Sequence, residues 1–138
     1  MTLLIHISLL ILVTTAIHGV VTTVLVQLAR AVRQRISRGR APTLRFLFVP
    51  LLALAFLLAA LVEASLWAWY YLARLHLESF QDALYFSIVT MTTLGYGDIT
   101  LVGAGRLVSG MQAALGIVLF GWTTAAIFTA VQAVHTKD

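Results

Sequence analysis

The stretch that decides the fold is YFSIVTMTTLGYGD, residues 85–98, which ends in a Gly-Tyr-Gly segment and lies between two long apolar runs. Each run, over residues 46–71 and residues 107–134, exceeds the roughly 20 apolar residues that a membrane-spanning helix needs. The helix expected over residues 80–92 is only about 20 Å long, too short to cross a bilayer. We therefore predict a re-entrant helix, followed by irregular backbone that protein buries or that lines a water-filled path.

The start of the short helix carries a sequence signature for a cap. Ser79 precedes the helix and Asp82 follows three residues later, which predicts that Ser79 accepts a hydrogen bond from the helix backbone. Asp82 also places negative charge at the positive end of the helix dipole. With Glu78 and Asp98, Asp82 either makes this side acidic enough to concentrate cations, or it belongs with Glu78 to a solvated helix start.

The composition extends the membrane interpretation to the whole chain. Of 138 residues, 61% are hydrophobic and 10% are charged, which is outside the range of soluble domains. A third apolar run covers residues 2–29, so three spans leave no room for a soluble enzyme or ligand-binding domain. No paired catalytic groups occur at matching depth, and cysteine is absent. The sequence predicts an all-α membrane protein with three transmembrane helices and one re-entrant helix, without enzyme activity and without a cofactor.

The basic residues predict the orientation in the membrane. Basic residues beside a span tend to stay in the cytoplasm, and no acidic residue interrupts the basic segment between the first two spans. Its arginines are Arg30, Arg33, Arg35, Arg38, Arg40 and Arg45. We expect a plasma-membrane protein with its amino terminus outside and its carboxyl terminus in the cytoplasm. Two interpretations of the arginines stay open: they act only as a topology signal, or they also bind anionic lipid. We do not expect nucleic acid as a partner.

Segment 85–98 and its flanking spans resemble the pore helix and selectivity filter of tetrameric potassium channels, and the resemblance covers about residues 46–134. It implies a homotetramer that passes potassium passively. In such a pore, rings of backbone carbonyls from four chains replace the hydration shell of the ion. Gly95 and Gly97 tolerate the positive φ angles that aim successive carbonyls at one axis. The implied ion-binding residues are Thr93, Leu94, Gly95, Tyr96 and Gly97, with the first four as potassium ligands through their carbonyls and the Thr93 hydroxyl as the innermost ring.

The apolar runs, the basic segment and the resemblance together predict three parts of the chain. Residues 1–29 form a first transmembrane helix, residues 30–45 a cytoplasmic arginine-rich linker, and residues 46–138 a pore domain. Within the pore domain we predict an outer helix over 46–75, a pore helix over 80–92, a filter over 93–98 and an inner helix over 106–134.

Residues around the filter should hold it at its width. We expect Tyr96 to point away from the ions and to pack against the pore helix beside Tyr85 and Phe86, where many family members have tryptophan. Val89 stands where some members have a buried glutamate that pairs with the filter aspartate. Asp98 therefore needs another partner, for which we predict the Tyr85 hydroxyl.

Glu63 is a second candidate for filter support. It lies in the outer part of the second span, where a carboxylate is costly unless it faces protein or water. We predict that it points inward and supports the filter from behind, through Gln112 or a pore-helix threonine. The alternative is that it snorkels outward to the membrane surface.

The inner helix carries candidate gating residues. Gly116 aligns with the glycine hinge of the family and Gly121 follows five residues later, but glycine also permits close packing between membrane helices. By the same alignment, the candidates for the cavity lining and the inner gate are Ile117, Phe120, Thr124 and Phe128. The alternative for Thr124 is a hydroxyl that bonds back to its own helix.

The first helix has no evident functional signature. It contains no arginine or lysine that could carry the gating charge of a voltage sensor. His6 and His18 have side chains that titrate near neutral pH, but an isolated histidine in such a helix more often packs or hydrogen-bonds. Two rival functions stay open beside potassium conduction: a weakly selective cation channel, and a non-conducting membrane subunit that regulates a partner.

Overall fold

The computed structural model describes residues 2–37 and 44–135. This part of the chain consists of four helices and contains no strand: α1 (Thr2–Ser37), α2 (Leu44–Leu75), α3 (Phe80–Met91) and α4 (Ala104–His135). Three of them contain apolar segments long enough to cross a membrane: Thr2–Arg35, Leu47–Leu75 and Ala104–Ala133. The predicted all-α membrane fold with three spans is therefore confirmed.

Two apolar clusters fix how the helices run. At one end, Ile7 of α1 packs with Trp67 near the end of α2, Phe86 of α3 and Val108 near the start of α4. At the other end, the second cluster joins the end of α1, the start of α2 and the end of α4. Its buried members are Ala29, Phe48, Leu52, Phe56, Ala126 and Ala130. Helices α1 and α4 therefore run in the same direction, α2 runs against them, and α3 lies at the end where α1 begins.

Helix α1 is longer than the sequence prediction of residues 1–29. It continues to Ser37, so Arg30, Arg33 and Arg35 lie on the last turns of a helix instead of in a linker. The reason is that arginine and glutamine are good helix formers and no glycine or proline interrupts the segment before Gly39. Arg30 and Arg35 are exposed. The predicted lipid-binding residues Arg38 and Arg40 lie outside the described residues.

The predicted capping box at the start of α3 is present. The Ser79 hydroxyl accepts a hydrogen bond from the Asp82 backbone N–H at 3.1 Å and donates to the Asp82 carboxylate at 2.7 Å. Helix α3 then runs to Met91, one residue short of the predicted end, and Thr92 caps it. The cap fixes where α3 begins. It thereby also determines the position of the Gly-Tyr-Gly loop that follows the carboxyl end of the helix.

Candidate ion-conduction site

The loop after α3 is bonded to the end of that helix through its own amide groups. The N–H of Thr93 donates to the Thr90 carbonyl at 2.9 Å. The N–H groups of Leu94 and Gly95 both donate to the Val89 carbonyl, at 3.0 and 3.2 Å. In a planar trans peptide the C=O points opposite to the N–H of the next residue. The carbonyls that precede these three amides therefore point away from α3 and are free to act as ligands.

The backbone of the loop alternates between two conformations. The φ angles of Thr93, Gly95 and Gly97 are +59°, +56° and +81°, whereas Leu94 and Tyr96 between them do not have positive φ. The positive φ predicted for Gly95 and Gly97 is confirmed. Alternation in the sign of φ favours successive peptide groups on the same side of the strand, and thus a row of carbonyls instead of an alternating pattern.

The positive φ of Thr93 was missed by the sequence reasoning. A β-branched residue in this region is an outlier that costs roughly 1–3 kcal/mol and persists only where surrounding contacts impose it. Here two backbone hydrogen bonds supply those contacts: the N–H of Thr93 donates to the Thr90 carbonyl, and the N–H of the next residue donates to the Val89 carbonyl. The available signal was spacing, because Thr93 precedes Gly95 and Gly97 at the same two-residue interval.

The prediction that Tyr96 packs against α3 beside Phe86 is wrong for the single chain. Tyr96 is 66% exposed, as is most of the loop around it. Phe86 turns to the outer helix, where its ring meets that of Tyr71 edge-on at 5.0 Å. It also lines a cleft of about 430 Å³ between the loop and α4, together with Val89 and Arg106. The side chain of Tyr96 projects away from the body of its own chain.

The predicted hydrogen bond between Tyr85 and Asp98 is present. The Tyr85 hydroxyl donates to the Asp98 carboxylate at 2.7 Å, so the residue after the loop is tied to α3. This hydrogen bond holds the pKa of Asp98 below its usual range and raises the pKa of the Tyr85 hydroxyl. Because the pKa of Asp98 is lowered by folding, the stabilisation is complete above the ordinary aspartate pKa of about 3.9 and is lost as the pH falls through the folded-state pKa.

We predict that Tyr85→Phe shifts acid inactivation of ion flux to higher pH. Loss of the hydroxyl lets the pKa of Asp98 return toward its ordinary value, so the carboxylate is neutralised earlier during acidification. The measurement is ion flux from liposomes as a function of external pH. Tyr70→Phe, which removes a hydroxyl from α2 in a groove beside α1, is the matched control and should leave the midpoint unchanged. Equal midpoints for Tyr85→Phe and the wild type would contradict the role assigned to this bond.

A buried hydrogen-bond network ties α3 to both long helices behind the loop. The Tyr71 hydroxyl of α2 donates to Gln112 Oε1 of α4 at 2.5 Å, and Gln112 Nε2 donates to the Ser87 hydroxyl of α3 at 2.8 Å. The Ser87 hydroxyl in turn donates to the Ala64 carbonyl at 2.7 Å. All three polar side chains are fully buried. Sequence reasoning missed this network, although a serine and a glutamine within apolar membrane helices were the signal for it.

Glu63 is buried as predicted, but its predicted partner is wrong. Its carboxyl oxygen Oε1 lies 3.0 Å from Nδ1 of His18 on α1, and it does not pair with Gln112 or a threonine of α3. The other oxygen, Oε2, has no hydrogen-bond partner among the described residues. Trp67, one turn after Glu63 on the same face of α2, explains this direction, because its indole N–H donates to the Thr14 hydroxyl of α1 at 3.1 Å. This face of α2 meets α1.

Helix α4 approaches the α3 backbone closely at Gly116. A Cβ added to Gly116 would lie 2.0 Å from the Met91 carbonyl oxygen, whereas one added to Gly121 would meet nothing within 4 Å. We considered Gly116 as a hinge or as a site of close helix packing, and the short distance to Met91 supports close packing. The predicted cavity and gate residues share one exposed face of α4: Ile117, Phe120, Thr124 and Phe128. The Thr124 hydroxyl donates to the Phe120 carbonyl of its own helix at 2.8 Å, which is the alternative considered for it.

A short re-entrant helix and its loop, held between two spanning helices, define a membrane protein of the pore-loop class. Comparison with known families is consistent with this architecture: the family model described as "Ion channel" matches residues 44–133, more than half of the chain. The chain therefore belongs to this ion-channel family, which fits the predicted group of small channels. Membership points to a transport role and not to an enzymatic one.

One curated relative is similar over part of the chain. Protein LctB from Geobacillus stearothermophilus is 42% identical over 43 residues, which cover 31% of this chain and 32% of LctB. The chain thus matches about a third of the length of that relative. No solved structure matches the chain.

Proposed function

We propose that the chain is one subunit of a homotetrameric channel that conducts potassium selectively and passively through the loop after α3. The observation that carries this proposal is the direction of the loop peptide groups. The N–H groups of residues 93–95 are used by α3, so the carbonyls of residues 92–94 point to the opposite side. Positive φ at every second residue favours the same direction for the carbonyls of Gly95 and Tyr96. Backbone carbonyls so aligned are suited to replace the hydration shell of potassium.

We infer a tetramer because one chain supplies only part of the oxygen ligands that a dehydrated ion needs. One loop covers one side of an ion, so a dehydrated potassium ion needs equivalent loops around it to regain a full set of oxygen ligands. The Tyr96 ring is largely exposed and the cleft behind the loop is open, so both leave surface that a neighbouring subunit could cover. In the proposed assembly, Tyr96 packs against the neighbouring subunit and so sets the width of the filter.

Electrostatics favour a cation along the proposed path. The carboxyl end of α3 is adjacent to the loop, and the partial negative charge of a helix carboxyl end stabilises a cation near it. Asp98 lies at the other end of the loop, with Glu78 and Asp82 near the start of α3. These three carboxylates concentrate cations before they enter. The exposed face of α4 that includes Ile117 and Phe128 lines the remaining path in this arrangement.

The proposed orientation in the plasma membrane places the loop outside and the carboxyl terminus in the cytoplasm. The arginines of α1 are at the end of the protein opposite α3, which agrees with the tendency of basic residues to stay in the cytoplasm. At that surface, Arg30 and Arg35 are exposed and suited to anionic lipid headgroups.

The deciding experiment is ion flux in liposomes that contain only this protein. We expect a purified tetramer that passes potassium at least about ten times faster than sodium, equivalent to about 1.4 kcal/mol of discrimination. Protein-free liposomes provide the background. Equal rates for the two ions would identify a weakly selective cation channel. A correctly assembled tetramer without any flux would identify a regulatory subunit.

A further inference from the structure

Helix α1 lies outside the part of the chain that the ion-channel family model matches, which begins at residue 44. It is nevertheless fastened to both helices of that part. The Thr14 hydroxyl accepts from Trp67 of α2, and His18 contacts both α2 and α4. The contacts with α2 are buried and the contact with α4 is partly buried. Polar contacts of this kind between membrane helices are uncommon and specify how the helices meet.

His18 forms a bridge between Glu63 and Thr123, using both nitrogens of its ring. Nδ1 lies 3.0 Å from the Glu63 carboxyl oxygen Oε1, and Nε2 lies 3.1 Å from the Thr123 hydroxyl of α4. His18 is 3% exposed and Glu63 is fully buried. The rings of Trp122 and Phe56 pack against the imidazole at 5.4 and 6.0 Å. We name this set of three residues, His18, Glu63 and Thr123, the His18 bridge.

The bridge contacts α4 two residues after Gly121. At Gly116 the helix is held against the Met91 backbone with no space for a side chain. Five residues later, Gly121 has nothing within 4 Å of where a Cβ would be, and glycine is the residue that stiffens a helix least. Thr123 follows directly. The half of α4 that starts there packs against α1 and α2 through the bridge and through the second apolar cluster.

We propose that His18 is a positioning residue for conduction: through Thr123 it fixes the inner half of α4, and with it the width of the inner mouth, so that α1 regulates opening. This inference rests on the proposed channel function. The bridge is a polar contact between α1 and α4, beside the apolar contacts of the second cluster, and Glu63 fixes the imidazole so that Nε2 faces Thr123. The conducting loop is not part of this mechanism, so its ion selectivity is independent of the bridge.

Two substitutions of His18 distinguish its contact with Glu63 from its contact with Thr123. The amide nitrogen of Asn lies near the position of Nδ1, so His18→Asn keeps the contact with Glu63 and loses the one with Thr123. The amide of Gln reaches the position of Nε2, so His18→Gln keeps the contact with Thr123. Thr123→Val removes the same contact as His18→Asn from the other side, at nearly constant volume. The double variant His18→Asn/Thr123→Val removes no further contact.

The first readout is open probability in single-channel recordings, with ion selectivity measured in the same bilayers. We expect His18→Asn and Thr123→Val to change open probability in the same direction by about fivefold or more, which is the lower end of measured allosteric couplings. The double variant should match His18→Asn, which already lacks both the Thr123 contact and the ring packing on Trp122 and Phe56. His18→Gln keeps the Thr123 contact and should stay closer to the wild type than His18→Asn does. Thr14→Val is the control, because it removes another buried contact of α1 that does not reach α4. A wild-type open probability for Thr123→Val, or an equal change for Thr14→Val, would overturn the proposal.

A second readout keeps the test independent of conduction. The chain has no cysteine, so Thr129→Cys on the exposed side of the inner half of α4 gives a unique site for a spin label. We expect Thr123→Val to broaden or shift the distance distribution between labels of neighbouring subunits, and Thr14→Val to leave it unchanged. An unchanged distribution for Thr123→Val refutes the bridge as a positioning device. Absence of potassium flux from the wild type would instead count against the proposed function.

Discussion

Gly95→Ala is expected to abolish selective potassium conduction while leaving membrane insertion and assembly intact. The φ angle of Gly95 is +56°, in the left-handed region where an added Cβ costs roughly 1–2 kcal/mol. In a tetramer the four copies together cost about 4–8 kcal/mol, comparable to the net stability of a whole domain. A Cβ at this position would meet no other atom within 4 Å, so the strain lies in the backbone itself. The backbone relieves it by turning carbonyls out of their row.

The measurement is potassium flux against sodium flux in liposomes, with gel filtration to establish that the tetramer persists. Gly103→Ala is a matched control, because Gly103 also has a φ of +56° and no atom within 4 Å, but lies in the turn before α4. It should lower stability by a similar amount and keep selectivity. Unchanged selectivity in Gly95→Ala, or equal loss of selectivity in both variants, would show that the loop is not the filter.

The features that the sequence predicted correctly depend on local rules. Three spans follow from length and hydrophobicity, the start of α3 from the Ser79 capping box, and positive φ at Gly95 and Gly97 from the absence of a Cβ. The hydrogen bond between Tyr85 and Asp98 was predictable because both groups belong to one short segment, in which a carboxylate needed a donor. Glu63 was predictably buried, because a carboxylate is costly in hydrocarbon.

The features that were missed depend on which face of a helix meets which neighbour. In a soluble protein the apolar stripe of a helix marks its buried face, but in a membrane the outward face is equally apolar. Helix α1 therefore gave no sign that it packs along both α2 and α4 and that it supplies His18 as the partner of Glu63. The direction of Phe86 toward Tyr71 was missed for the same reason. Tyr96 differs, because its proposed contact lies in another subunit.

Gly116→Ala is expected to produce the second large effect, a loss of stability of the proposed tetramer together with a weakening of its proposed ion selectivity. The new Cβ would lie 2.0 Å from the Met91 carbonyl oxygen and 2.9 Å from its carbonyl carbon. Both atoms are backbone, so no side-chain rotation can relieve the overlap, and α4 and α3 must move apart. Overpacking of this kind costs about 1–3 kcal/mol and occasionally more. Met91 is the last residue of α3, so the displacement also reaches the loop carbonyls that we propose as ion ligands.

The measurement is thermal dissociation of the purified tetramer, followed by the ratio of potassium to sodium flux. Gly121→Ala adds the same methyl group to the same helix where nothing lies within 4 Å. Because alanine is favoured over glycine in a helix by about 1 kcal/mol, this control should be as stable as the wild type or more stable. The two variants thus distinguish a role in close helix packing from a role as a flexible hinge. If Gly116 serves close packing, only Gly116→Ala lowers the stability. Equal stability of Gly116→Ala and Gly121→Ala would instead mean that α4 does not rest on α3 at Gly116, and the hinge would be the better account of that glycine.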